Sequence, residues 1–207
     1  MRLYVETISP FVSNLGPGKR IGIWVQGCSL HCPGCISPEL AERKASSARE
    51  VDNIAHEISE LAHGHDGITI SGGEPFEQAG PLARLVRLVR QTTNLDILVY
   101  SGYSIEDIRA GSCAMRSLLS SIDILIDGRF EVETPNTKVW RGSDNQRMHL
   151  LTARAQQYAR YADARYRGRR PVHVETTREG KLRIIGIPSR GFVHSLQKKI
   201  IAHGLKL

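Results

Sequence analysis

Residues 21–35 read IGIWVQGCSLHCPGC, an apolar run that passes directly into a loop carrying three of the chain's four cysteines. IGIWVQ predicts the first strand, and it is apolar nearly throughout rather than alternating. Strands of that composition are buried on both faces, the condition of a strand inside a parallel sheet. The same pairing of apolar run and unusual loop recurs downstream: GITI (67–70) before SGGEP, LDILVY (95–100) before SGY, and IDILI (122–126) before DGRF. Helical patterns fill the intervals. Ser47, with Glu50 three positions on, predicts a capping box opening a helix whose Val51, Ile54, Ala55, Ile58 and Leu61 share one stripe and which ends near His63 and Gly64. Leu82, Leu85, Val86 and Val89 mark a second amphipathic helix with Arg84, Arg87 and Arg90 off its stripe. A helical stretch from about residue 104 to 121, broken near Gly111, precedes the run at 122–126.

Parallel strands need crossovers long enough to hold a helix, so this order predicts an α/β fold with its sheet covered on both sides. In such sheets the chemistry gathers at the carboxyl ends of the strands, where all four unusual loops fall. A closed eight-unit barrel takes about 250 residues, so a chain of 207 predicts an open partial (β/α) barrel of parallel strands, with a doubly wound sheet as the alternative. The last quarter differs. LTARAQQYARYADARYRGRR (151–170) predicts a polar, arginine-rich helix. VHVETT and KLRIIGIP follow as a hairpin turning at Glu179 and Gly180, then a short helix from about Phe192. These form a C-terminal α/β appendage, giving a core over residues 1–150 and an extension over 151–207 packed on it.

At 23.0 kDa and 41% hydrophobic residues the chain can bury one ample core, and a second full domain is not expected. A net charge of +7 suits an anionic partner without selecting one. No apolar run approaches the ~20 residues that span a bilayer, and MRLYVETISP lacks the features of a secretory signal. A cytoplasmic protein with no membrane partner is expected, and in that reducing setting clustered cysteines point to a metal or a reactive thiol rather than disulfides.

Cys28, Cys32 and Cys35 follow the spacing C-x3-C-x2-C. Structural zinc takes four ligands, usually as two separated pairs, and no second pair exists here; His31, between two of the cysteines, is poorly placed to be the fourth. A cubane of four irons and four sulfides is usually held by one thiolate per iron. Three thiolates leave one iron open, and an open position is what a metal needs to bind a substrate or cofactor directly.

C-x3-C-x2-C after one strand, with Gly72-Gly73-Glu74-Pro75 after the next, resembles the radical S-adenosylmethionine (SAM) enzymes. The resemblance implies a 4Fe-4S cluster on Cys28, Cys32 and Cys35, with the open iron chelated by the amino and carboxylate groups of SAM. Reduction of the cluster then cleaves SAM to a 5′-deoxyadenosyl radical. Two adjacent glycines allow close approach to a ligand, and the Glu74 carboxylate suits a cationic amino group. GPGKRIGIWVQGCSLHCPGC (16–35), VYSGY (99–103), LIDGRF (125–130) and WRGSDNQR (140–147) further resemble one branch, the activating proteins of anaerobic (class III) ribonucleoside-triphosphate reductase. That branch shares Gly34, where most radical SAM enzymes carry an aromatic residue against adenine. Ile36-Ser37 departs from the aromatic residue and Asn that the branch often carries there.

The resemblance implies a glycyl radical raised on a partner reductase and an electron donor such as flavodoxin or ferredoxin. It also implies cofactor contacts from Gly72, Gly73, Glu74, Pro75, Gly34, Ser101, Asp127 and Arg129, the last two matching an Asp-x-Lys pair of related activating enzymes. A stand-alone radical SAM enzyme acting on a small molecule or ribosomal peptide is the alternative, with the extension covering the site. A non-catalytic metal-binding module, holding zinc and binding nucleic acid through its basic tail, is a third reading. RGSDNQR (141–147) suits a carboxylate, a phosphate or a peptide backbone, and its role stays open. Cys113 reads as a buried free cysteine, and no histidine has trustworthy metal-ligand spacing. Arg160 to Arg170, with Tyr158, Tyr161 and Tyr166 interleaved, reads as a solvated helix face with aromatic anchors, so nucleic acid is not an expected partner.

Overall fold

A computed structural model describes residues 1–176, 182–189 and 191–202. Its centre is a seven-stranded sheet of β1 (Arg2–Val12), β2 (Arg20–Val25), β3 (Ala48–Glu50), β4 (Gly67–Gly72), β5 (Asp96–Tyr100), β6 (Ile124–Asp127) and β7 (Arg147–Leu150), in the order β3-β1-β2-β4-β5-β6-β7. The four central strands β2, β4, β5 and β6 run parallel, in keeping with their apolar composition; β1 and β7 run antiparallel to them at the two sides, and β3 pairs antiparallel with β1. The sheet ends on β3 and β7 and does not close.

Register explains why the apolar runs have their length. Ile23, Ile70, Val99 and Leu125 lie side by side across four strands and form one row of the core. The helices α1 (Val51–Leu61), α2 (Ala79–Thr92), α3 (Ile105–Ala110) and α4 (Cys113–Ser121) cover that row, burying Ile54, Ile58, Leu82, Leu85, Val86, Val89, Ile108 and Leu118 against it. α3 and α4 are separate, with Gly111 between them, and each begins on a serine cap, Ser104 and Ser112.

The opposite face presents Leu98, Ile124 and Ile126, and irregular chain covers it instead of helix. Val139, Trp140, Ala155, Tyr158, Tyr161 and Tyr166 pack there. The expected arginine-rich helix over 151–170 is replaced by a 3-10 stretch, Arg154–Tyr161. The reason is in the spacing: three residues per turn align Ala155, Tyr158 and Tyr161 on one side, toward the sheet. Beyond it, the amide of Val139 donates to Ala164 O at 2.9 Å and that of Tyr166 to Thr137 O at 2.8 Å, which fixes the segment in extended form. The tyrosines are therefore anchors, as expected, on a segment that is not a helix face.

The hairpin of β8 (Val172–Thr176) and β9 (Leu182–Gly186) forms as expected and seats Ile185 against Val12 and Leu15; helix α5 (Phe192–Ala202) follows. Its expected turn at Glu179 and Gly180 lies outside the described residues. Two further corrections concern the amino-terminal third. IGIWVQ is the second strand, because residues 2–12 form β1 beside it, with register shifts that blur the alternation of its sequence. Ser47 is no helix cap. It ends a 3-10 turn, residues 48–50 pair with β1, and α1 begins only at Val51. Glu50 is drawn away to Arg2 and the terminal amine at 2.9 and 3.0 Å.

At the amino ends of the central strands lies the fully buried Arg20, which donates to Thr69 Oγ1 at 2.8 Å, Pro17 O at 3.0 Å and Ile68 O at 2.7 Å and pairs with Asp96. Tyr158 from the extension donates its hydroxyl to the other Asp96 oxygen at 2.8 Å. Removing one partner of such a pair leaves a buried charge uncompensated. Arg20→Ala is expected to lose about 3–5 kcal/mol of unfolding free energy, measured by denaturant titration, and Tyr158→Phe about 1 kcal/mol.

Candidate functional site

The loops that leave the carboxyl ends of β2, β4, β5 and β6 meet at one end of the sheet. The first carries the three cysteines. Its base is closed by Gly27 N donating to Leu40 O at 2.8 Å and Cys28 N to Ala41 O at 2.9 Å, and its tip by Cys35 N donating to Cys32 O at 3.1 Å around a left-handed Gly34. All four cysteines are free thiols. Cys28 and Cys32 are half-buried, Cys35 is exposed, and Ile36 beside it is 52% exposed. Burial pushes the Cys28 thiol up, with the Leu30 and His31 amides pulling the other way. Among the described residues no three Cys, His, Asp or Glu side chains converge on one centre, so the thiols share a loop without forming a closed cage. Three soft thiol donors, unpaired with each other on one loop at the strand end, fit an iron-sulfur cluster by their chemistry. His31 is exposed and has a left-handed backbone.

The glycine pair after β4 lies directly against this loop. Gly73 N donates to Val25 O and Glu74 N to Gly27 O, both at 2.7 Å. A Cβ at Gly72 would stand 2.4 Å from Val25 O, and one at Gly73 would stand 2.4 Å from Gly27 O. The close approach that these glycines permit is thus made to the backbone of the cysteine loop. Glu74 is 2% exposed, and its carboxylate accepts from Phe76 N at 2.9 Å, Ser101 Oγ at 2.9 Å and Gly102 N at 2.7 Å. Burial raises its pKa to about 7, against the pull of those bonds. Pro75 starts the 3-10 turn that leads into α2.

Ser101 therefore joins the β4 and β5 loops through Glu74, and Leu30 of the cysteine loop lies on Gly102, where a Cβ would stand 2.3 Å from Leu30 Cδ1. A Cβ on Gly34 would stand 3.4 Å from Phe130 and Val132, so the β6 loop flanks the cysteines on the other side. Asp127 and Arg129 part company. Asp127 is buried on the helix side of β6, accepting from Ile105 N at 2.7 Å and Arg147 Nη2 at 2.8 Å, with His149 Nε2 at 3.1 Å. Burial alone would raise its pKa; the bonds from His149, Arg147 and the Ile105 amide outweigh that and hold it at about 2. Arg129 is exposed and lines a cleft of about 490 Å³ with Phe76, Glu77, Tyr103, Asp107 and Met115.

RGSDNQR binds peptide backbone, and the backbone is its own. Arg141 is buried and donates to Val139 O, Tyr161 O and Ala162 O; Asn145 donates to Arg129 O at 2.8 Å and Gln146 to Gly128 O at 2.9 Å. Cys113, expected to be buried, is exposed at the start of α4, with Arg116 Nη2 3.0 Å from its sulfur. Sequence reasoning missed Glu77, which accepts from Ser29 N and Ser29 Oγ at 2.7 Å each. It also missed Gln78, which bonds Tyr4 and Gln26 O. The available signal was two polar residues immediately ahead of the apolar stripe of α2.

Comparison with known proteins agrees with this geometry. The chain belongs to the 4Fe-4S single cluster domain family, whose match spans residues 14–149. Within it, the chain belongs to the anaerobic ribonucleoside-triphosphate reductase-activating proteins. The protein of that name from Enterobacteria phage T4 is 31% identical over 64% of this chain and 85% of its own length. Those from Escherichia coli K12 and Salmonella typhi are 31% and 32% identical, each over 66% of this chain and 91% of their own lengths.

Two measurements check the assignments of glycine and aspartate. Gly73→Ala is expected to push the β4 loop off the cysteine loop, so iron and sulfide content after anaerobic reconstitution should fall well below wild type. Asp127, held at about 2 in the fold against ~3.9 in an open chain, contributes stability that is complete above about pH 4 and is lost as the pH falls through about 2. Denaturant unfolding between pH 2 and 5 should therefore show a steeper acid loss for wild type than for Asp127→Asn.

Proposed function

We infer that this chain is the activating enzyme of an anaerobic ribonucleotide reductase, and that the observation carrying the reading is the cysteine loop clamped to the Gly72-Gly73-Glu74 loop at the end of a parallel sheet. When bound, a 4Fe-4S cluster supplies the electron that cleaves SAM to methionine and a 5′-deoxyadenosyl radical, which takes a hydrogen atom from a glycine Cα of the reductase. The cluster would be held by Cys28, Cys32 and Cys35.

The chain's own residues do the placing. Gly72 and Gly73 keep the cysteine loop pressed to the sheet, Pro75 turns the chain into α2, and Glu74 with Ser101 ties three strand ends together. Gly34 suits the loop tip by its left-handed backbone, and an added Cβ there would make only ordinary contact with Phe130 and Val132. The exposed guanidinium of Arg129 at the cleft suits the carboxylate of SAM. Asp127 serves this site through its hold on α3 and Arg147, which steadies the strand end that presents Arg129.

Residues 1–150 carry the chemistry, and residues 151–207 form the extension. The described part of the extension up to Ile187 covers the second face of the sheet and leaves Cys35 exposed, which favours a macromolecular substrate whose docking excludes water. That placement speaks against an enclosed small-molecule site. A flavodoxin or ferredoxin as electron donor and a cytoplasmic setting complete the proposal.

Anaerobically reconstituted protein, reduced and incubated with SAM and an anaerobic reductase, should generate a glycyl-radical signal by electron paramagnetic resonance. Cys35→Ala should abolish it. A fully loaded protein that cleaves SAM yet leaves every such reductase without a radical would overturn the reading.

A further inference from the structure

We propose that Glu77 holds a negative charge beside the cysteine loop and thereby keeps the reduction potential of the cluster low. The inference rests on the cluster assignment above. Glu77 is a positioning residue and is not itself a ligand. Its Oε1 accepts from both the amide and the hydroxyl of Ser29, the residue directly after Cys28, at 2.7 Å each. Two bonds to one residue fix the carboxylate in place, so its charge stays next to the first ligand instead of swinging into water.

The carboxylate is also held from behind. Glu77 lies in the 3-10 turn Pro75–Gln78, its amide donating to Glu74 O at 3.1 Å, and that turn runs straight into α2. Its side chain is only 20% exposed, so solvent screens it less than it would a surface glutamate. On the other flank Arg43 donates to Glu77 O at 3.2 Å, with its guanidinium over the Tyr4 ring. Arg43 Nη2 stands 3.9 Å from Glu77 Oε2, too long for a hydrogen bond, and its side chain is 40% exposed. The offset to the glutamate charge is therefore partial.

A neutral glutamine would accept the same two bonds from Ser29. What glutamate adds is charge, and iron-sulfur potentials follow net charge, hydrogen bonding and solvent exposure around the cluster. An anion at this position disfavours the added electron and makes the reduced cluster a stronger reductant, the direction that reductive cleavage of a sulfonium requires. Glu74 cannot be credited with the same effect by the same test, because its carboxylate ties the β4 and β5 loops together and its loss would open the site.

The test is a potentiometric titration of the reconstituted cluster, followed by electron paramagnetic resonance, with no SAM and no reductase present. Glu77→Gln keeps the acceptor and removes the charge. It should retain wild-type iron content and raise the reduced-to-oxidised ratio at a fixed potential by on the order of tenfold, which for a one-electron couple is 59 mV. Arg43→Gln leaves both Ser29 bonds in place and should move the midpoint the opposite way. Wild-type midpoints in both variants, or shifts of the same sign, overturn the proposal. If Glu77→Gln fails to hold iron, the direction of the Arg43→Gln shift alone decides. A wild-type protein that takes up no cluster would instead overturn the functional reading on which the proposal rests.

Discussion

Everything at the active end depends on the parallel pairing of β2 with β4 continuing one step beyond the sheet. The register that sets Val25 beside Gly72 carries on into Gly73 N to Val25 O and Glu74 N to Gly27 O, so the two loops are joined by the same kind of bond as the strands. Only glycine fits there, because a side chain at either position would collide with carbonyl oxygens of the neighbouring backbone. The cysteine loop thus inherits its position from the sheet. Glu74, Ser101 and Gly102 extend the same logic to β5, and Asn145 and Gln146 extend it to the segment after β6.

What the sequence revealed, and what it hid, follows from period and parity. The central strands and α1 to α4 were legible because their apolar spacing is unambiguous. β1 was not, since its pairing shifts register twice and its sequence mixes exposed and buried positions without a clean alternation. Ser47 offered a locally valid cap, but Glu50 found better partners in Arg2 and the terminal amine and the chain stayed extended for three more residues. In the extension, alanine and tyrosine at intervals of three fit a helix loosely and a 3-10 turn well, and contact with the sheet chose the latter.

The site shows the same division. The three cysteines and Gly72 to Pro75 stood out because so few chemistries use those residues at that spacing. The direction of Asp127 was also written in the strand: two positions from Leu125, it had to face the helices, where α3 and Arg147 claim it. Glu77 was invisible because its partner, Ser29, is 48 positions away and is brought to it only by the β2–β4 pairing.

The hydroxyl that Tyr158 lends to Asp96 has a wider meaning for how the chain folds. It is a contact across 62 positions, between the buried Arg20–Asp96 ion pair and the segment that covers the second face. Leu98, Ile124 and Ile126 lie beneath that segment, so their burial depends on the extension being in place. Residues 155–166 and the strands β5 and β6 accordingly share one apolar cluster, so losing the extension would expose core side chains of the sheet.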